Sequence, residues 1–367
     1  MPSHRLAFAL FCLSLSGLRA ETTHRPAVIP FPDTPDHAVP TALMAEIYDE
    51  VRTPFKYGIV VGGEADERVD GPKIFRADGQ WFMVYSTFRE KIGYETCLAR
   101  SDDLLSWEKL GRILPFRPDN WDSWQAHGGP SLIDYTWGGS HAYGSFEGKT
   151  WMTYVGGALK GYETDPLSIG LAWTESPTRP AEWDRLPEPI LTAAQTDARA
   201  FESITLYTST VIEVDPALLG FPFVMFYNGK APPDGHEAIG MAVSHDLRTW
   251  RRFGDSPVVD NVGESRWAIS GNPQIVKIGD LWVMFYFGAF WRPKAFDTFA
   301  CSRDLVHWTK WDGPALVVPS EPWDQDFAHK PWVLKHNGIV YHFYCAVGDE
   351  GRAIALATSR DLRANRP

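Results

Sequence analysis

Apolar positions along the chain gather in short aromatic runs: Trp81 to Tyr85, Trp151 to Tyr154, Phe223 to Tyr227, Trp282 to Tyr286 and Val340 to Tyr344. Runs of four or five residues suit buried strands, and no interval between them shows the periodicity of an amphipathic helix. Three of the runs are preceded, nine positions earlier, by a proline that opens a second apolar stretch: Pro72, Pro273 and Pro331. The two stretches are separated by Asp78-Gly79, Gly279-Asp280 and Asn337-Gly338. Asp-Gly and Asn-Gly favour the positive φ angles of a tight hairpin turn, so each pair of runs reads as two antiparallel strands.

A third stretch of small residues follows, ending in a Ser-x-Asp-Leu-x-x-Trp-like turn. Leu98 to Ser101 leads into Asp103-Leu104 and Trp107, and Phe299 to Ser302 into Asp304-Leu305 and Trp308. The second copy has Gly129-Pro130, a longer first hairpin, Ile169 to Thr174 and Trp183. The third has Ser209-Thr210, Ile239 to Ser244, Asp246-Leu247 and Trp250. The fifth runs to Asp361-Leu362 and stops without its tryptophan, so the segment Tyr57 to Gly62 is expected to supply its outer strand and remove an exposed edge. Five copies of about 60 residues predict an all-β, five-bladed β-propeller; a pair of β-sandwiches would not produce this repeat. The recurring tryptophan turns read as structural, with Asp or Ser capping the turn and the indole packed between blades.

Residues 1–20 read as a signal peptide, with His4 and Arg5 before an apolar run from Leu6 to Leu15 and Ala20 at the cleavage point. Residues 21–54 then form an N-terminal extension and 55–367 the propeller. The leader's apolar run is too short to span a bilayer and no later one is long enough, so the expectation is a secreted or periplasmic protein without a membrane span. The formal charge of −11 argues against nucleic acid as a partner. Beyond Cys12 in the leader, Cys97, Cys301 and Cys345 lie in strand-like runs, which predicts buried thiols rather than disulfides or a metal site.

In a propeller the openings of the five innermost strands meet at one axial funnel. Here they read Arg68 to Pro72, Gln125 to Pro130, Leu206 to Thr210, Ile269 to Pro273 and Phe327 to Pro331, with polar residues recurring among them. Asp70 is the first carboxylate at this rim. Glu202, just ahead of the third copy, and His329, opening the fifth, are further ionisable residues at or beside these openings. His127, Asn272 and Lys330 could hydrogen-bond a ligand, and Trp124, Trp291 and Arg292 lie in loops where flat rings and polar tips could line its binding site. Gly161-Tyr162-Glu163-Thr164 repeats Gly93-Tyr94-Glu95-Thr96 and reads as blade structure.

With its blade pattern, Asp70-Gly71-Pro72, Ser101 to Trp107 and Phe285 to Trp291, the chain resembles the five-bladed propeller glycosidases of glycoside hydrolase families 43, 32, 117 and 130, most closely the family 43-like bacterial proteins. The resemblance implies an exo-acting hydrolase cleaving a terminal sugar from a plant or algal oligosaccharide, with Asp70 as general base and Glu202 or His329 as general acid. Inversion would require the two groups to stand roughly 6.5 to 9.5 Å apart. Asn272 stands where such enzymes often place an aspartate, so Asp134 or Glu95 would have to supply the third acid. No cofactor is required. A structural calcium ion occurs in some relatives, but nothing in the sequence fixes its ligands. Two alternatives stay open: a non-catalytic carbohydrate-binding propeller, suggested by Asn272, and a family 130-like phosphorylase with Lys330, Arg292 and Arg89 around phosphate.

Overall fold

The computed structural model describes residues 28–32, 38–64, 66–89 and 91–365; the expected leader lies outside them. The described strands form sheets of nine, eight and four strands, in which antiparallel units follow one another in chain order. The first comprises Arg68–Ala77, Gln80–Arg89, Gly93–Ser101 and Glu108–Leu114. The second contains Gln125–Pro130, Thr150–Gly157 and Ser168–Thr174, edged by Asp184–Arg185 and Leu191–Thr192. The third contains Thr205–Glu213, Phe223–Lys230, Glu237–Ser244 and Trp250–Phe253, and the fourth Ile269–Ile278, Leu281–Ala289, Phe296–Ser302 and Trp308–Lys310. In the fifth, Phe327–His336, Ile339–Gly348 and Gly351–Thr358 are completed by Phe55–Val61, which pairs Phe55 with Thr358 and Val61 with Ile354. The N-terminal strand thus covers the edge that the sequence left open.

The hairpin turns take the expected geometry: Asp78 and Gly79 have φ of 51° and 79°, Asn337 and Gly338 of 49° and 72°. The tryptophan turns are structural, as read. Asp103 Oδ1 accepts the backbone N–H groups of Leu105 and Ser106 at 2.8 Å each, and Trp107 packs edge-on against Phe343 of the fifth unit.

The larger apolar clusters run between units. One cluster joins Phe75, Phe82 and Leu98 of the first unit to Met152 and Tyr154 of the second. Others join the second to the third through Trp151 and Phe223, and the third to the fourth through Phe226 and Met284. The fourth meets the fifth through Phe285 and Val333, and the fifth returns to the first through Phe343 and Met83. This cycle lets the units bury both faces of their sheets.

Two features depart from the expectation. The extension contains a helix, Thr41–Val51, that buries Met44, Ile47 and Val51 in the cluster between the fourth and fifth units. The long first hairpin of the second unit crosses one end of the axis. Its backbone bonds to Arg76, Val211 and Lys277, and His141 Nε2 lies 2.9 Å from the Lys335 carbonyl, so it reaches the first strands of the other four units at their far ends. Asp134, considered as a third acid, caps a turn of this hairpin through Ser140 and Thr136.

Candidate active site

At the other end of the axis, the first strands of the first, third, fourth and fifth units are interrupted by bulges, at Asp70/Lys73, Leu206/Ser209, Gly271/Gln274 and His329/Trp332 in turn. A bulge re-aims the side chains beside it. In three of these bulges the residue before proline has positive φ: Gly71 at 58°, Asn272 at 54° and Lys330 at 63°. Gly71 has a further reason to lack a side chain, because a Cβ there would stand 2.4 Å from the His127 ring.

Lys330 Nζ lies 2.7 Å from Asp70 Oδ2 and 3.2 Å from Glu163 Oε1. Arg352 Nη1 reaches the same Asp70 oxygen at 2.7 Å and the Tyr162 hydroxyl at 2.8 Å. Tyr94 donates its hydroxyl to Glu163 Oε1 at 3.1 Å. Asp70 is completely buried, and its other oxygen accepts the Gly71 N–H at 2.7 Å. Burial works to raise its pKa, but the Lys330 and Arg352 cations hold it well below the carboxylate range. In this arrangement Asp70 anchors two cations through Oδ2.

Those cations border a cavity of about 280 Å³, together with Tyr162, Glu163, Asn228, Glu237 and His329 on its polar side and Phe287, Phe290 and Phe327 on its apolar side. Glu237 opens the third strand of its unit and is 9 % exposed. Its Oε2 accepts the Asn228 amide N–H at 2.8 Å, while Asn228 Oδ1 accepts the Thr208 hydroxyl at 3.2 Å. Burial, reinforced by the negative charge of Glu163, pushes the Glu237 pKa up to about 8 despite opposition from Lys230. Glu163 comes from the loop after the second strand of its unit and is held with φ of 45°, a left-handed conformation uncommon for glutamate.

The two proton donors expected from sequence lie in different surroundings. Glu202 does not border the cavity. It is fully buried in a short 3₁₀ turn, ion-paired with Arg199 at 3.1 Å and with Arg252, and it accepts the Tyr227 hydroxyl at 2.5 Å. Burial works to raise its pKa, but Arg199 and Arg252 lower it, so Glu202 stays a carboxylate. His329 does border the cavity, but its Nδ1 lies 3.1 Å from the Cys345 carbonyl, and burial followed by the nearby Arg352 charge lowers its pKa to about 3. A neutral imidazole cannot act as the imidazolium acid.

Lys330 borders the cavity with its ammonium on Asp70 and Glu163. His127 is buried edge-on to Tyr94, 5.3 Å between ring centres, and Asn272 is buried with its amide turned to the Pro331 carbonyl at 3.4 Å. Neither borders the cavity. Trp124 packs on Phe116 under Lys160, and Trp291 packs on Phe296 under Arg292. Glu95 is paired with Arg112 at 2.7 Å, away from the cavity. Sequence reasoning missed Glu163, Glu237, Asn228 and Arg352. A signal for Glu163 was present in the repeated Gly-Tyr-Glu-Thr motif, whose tyrosines Tyr94 and Tyr162 both reach this cluster.

Among the described residues no group of three or more His, Cys, Asp or Glu side chains could hold a metal ion, and no helix is long and apolar enough to cross a membrane. No protein-family model matches the chain, nor does any curated protein sequence. Solved structures do. A structure described as a complex of BT0996 and RGII, and another described as "Glycoside hydrolase", are each 43 % identical, with a TM-score of 0.85, covering 88 % of this chain and 96 % of theirs. A thermostable family-43 glycoside hydrolase shares the fold at 16 % identity and a TM-score of 0.59, covering 85 % of this chain and 98 % of its own. With 43 % identity extending over nearly the whole of a known hydrolase, and with paired carboxylates gathered at the end of its strand cycle, the chain belongs to the propeller glycoside hydrolases and is an enzyme of that family.

Proposed function

We propose that this enzyme is a five-bladed propeller that acts after export, secreted or periplasmic, and removes a terminal sugar from a plant or algal oligosaccharide. In this reading Glu237 protonates the leaving oxygen and Glu163 is the opposing carboxylate. The observation that carries it is that one cavity holds a carboxylic acid kept protonated near neutrality beside a carboxylate held by Lys330 and Tyr94. Glycoside hydrolysis needs this division of labour, and the differing environments of the two groups create it. Because Asn228 donates to Glu237 Oε2, Oε1 is the oxygen left to carry the acid proton. Lys330 and Tyr94 both hold Glu163 through Oε1, which leaves Oε2 to face the reacting carbon or its attacking water.

Terminal action fits a cavity closed off at the far end of the axis. The opposite end of the axis is crossed by the long hairpin, and Asp70, Lys73 and Asn272 are buried on the inner strands between them. A neutral sugar fits the charge balance: with Glu237 protonated, the carboxylates of Asp70 and Glu163 offset Lys330 and Arg352. The same balance disfavours the phosphorylase alternative, because Lys330 is committed to two carboxylates and Arg292 packs on Trp291 and Phe296. Family membership sets aside the non-catalytic alternative.

The similar structure described as an RGII complex makes RGII the first substrate to try. The wild-type enzyme should release one monosaccharide as its only early product, measured by chromatography. An internal fragment appearing first would exclude terminal action. The hydrogen bond from Asn228 works to lower the Glu237 pKa, so Asn228→Leu should move the alkaline limb of the kcat/KM profile to higher pH. An unmoved limb in Asn228→Leu would separate Glu237 from that titration.

A further inference from the structure

We propose that Phe290 is the platform on which the sugar on the leaving side of the cleaved bond stacks, so that this residue selects an oligosaccharide over a simple glycoside. The proposal rests on the terminal-action reading above and adds a second subsite to it. Phe290 follows Leu281–Ala289 at the hairpin tip of the fourth unit, borders the cavity and is 58 % exposed, whereas Glu237, which borders the same cavity, is 9 % exposed. A ring at the rim of a cavity whose acid lies deeper meets the sugar that the acid releases.

The backbone supports this assignment. Phe290 has φ of 65°, a conformation costly for a bulky residue. Leu104, Leu247 and Leu305 adopt the same conformation, at 68°, 64° and 69°, in the tryptophan turns. Those leucines are at most 1 % exposed, so burial in the inter-unit cores offsets their strain. Phe290 is strained without that return, since its ring stays mostly in water. Glycine or asparagine would suit the turn better and expose less apolar surface. Folding therefore does not account for this phenylalanine, whereas contact with the C–H face of a sugar ring does. The neighbouring Phe287, Ala289 and Ala295 form a small buried apolar cluster that backs this side of the cavity, with Phe327 packed against it.

The test compares Phe290→Gly and Phe290→Trp with wild type on two substrates sharing one terminal sugar: the oligosaccharide that wild type cleaves, and the corresponding methyl glycoside, which has no leaving-side ring to stack. Phe290→Gly should lose about tenfold in kcat/KM on the oligosaccharide. It should match wild type on the methyl glycoside, and its Tm should be unchanged or higher. Phe290→Trp should keep the oligosaccharide activity. Equal losses on both substrates, no loss on either, or a Tm lowered by several degrees would each overturn the proposal. If wild type itself releases no terminal sugar, the functional reading fails first and this subsite with it.

Discussion

Exchanging Glu237 for glutamine should lower kcat/KM on an oligosaccharide by about 10²- to 10⁴-fold, the range for loss of a general acid. The loss should be much smaller on a dinitrophenyl glycoside, because that leaving group departs as a stable anion and needs no proton. Glu163→Gln should be impaired on both substrates, since the opposing carboxylate is needed whichever group leaves. This contrast assigns the two roles without reference to any relative. In wild type the pH profile of kcat/KM should fall on an alkaline limb near pH 8, the point to which burial and the Glu163 charge push Glu237. The Glu237→Gln enzyme should lack that limb. Identical losses of both variants on both substrates would sink the assignment.

The same carboxyl group has a cost in stability whose sign follows from its raised pKa. A carboxyl that holds its proton more tightly folded than unfolded destabilises the fold increasingly as pH rises from the unfolded pKa toward the folded one. The Glu237→Gln variant should therefore gain stability relative to wild type between pH 5 and about 8, with the difference levelling above that. Thermal unfolding across this range measures it.

Much of the fold could be read from the chain because its rules are local. Asp78-Gly79 and Asn337-Gly338 announce their hairpins, and the missing tryptophan after Leu362 points to a strand borrowed from elsewhere, found at Phe55–Val61. The helix at Thr41–Val51 was harder, since its burial depends on a groove between the fourth and fifth units that exists only after they assemble.

The site was half legible, and geometry explains which half. A search of first-strand openings finds Asp70, His329 and Lys330. In an antiparallel unit, however, the second strand ends and the third begins at the same rim. Asn228 and Glu237 occupy those positions in the third unit, Arg352 begins the third strand of the fifth, and Glu163 lies in the corresponding loop of the second. Each lies far in sequence from the openings it joins. Glu202 shows the converse case: it lies in the loop ahead of a first strand, where a rim residue is expected. Arg199, three residues earlier, and Arg252, fifty residues later, instead draw the carboxylate inward.

That inward turn leads to the largest stability effect expected in the molecule. Glu202 is completely buried with Arg199 and Arg252, whose side chains are 4 % and 0 % exposed. Replacing it with alanine removes the carboxylate but leaves both guanidinium groups inside. Arg252 retains Asp197 at 2.8 Å, whereas Arg199 is left with the Tyr227 hydroxyl and backbone carbonyls, those of Phe253 at 3.0 Å and Gly254 at 2.6 Å among them. Breaking a buried pair by removing one partner costs roughly 3–5 kcal/mol. Against the roughly 5–15 kcal/mol that typically holds a domain folded, that is a large share. Glu202→Ala should accordingly unfold at markedly lower denaturant concentration, while the fraction that remains folded keeps its specific activity. Because Arg199 and Arg252 depress the Glu202 pKa, the stability it contributes is fully present above the unfolded value and is lost as pH falls through the folded one. The gap between variant and wild type should therefore narrow below about pH 4. A stable Glu202→Ala protein with no hydrolytic activity would instead return the acid role to Glu202.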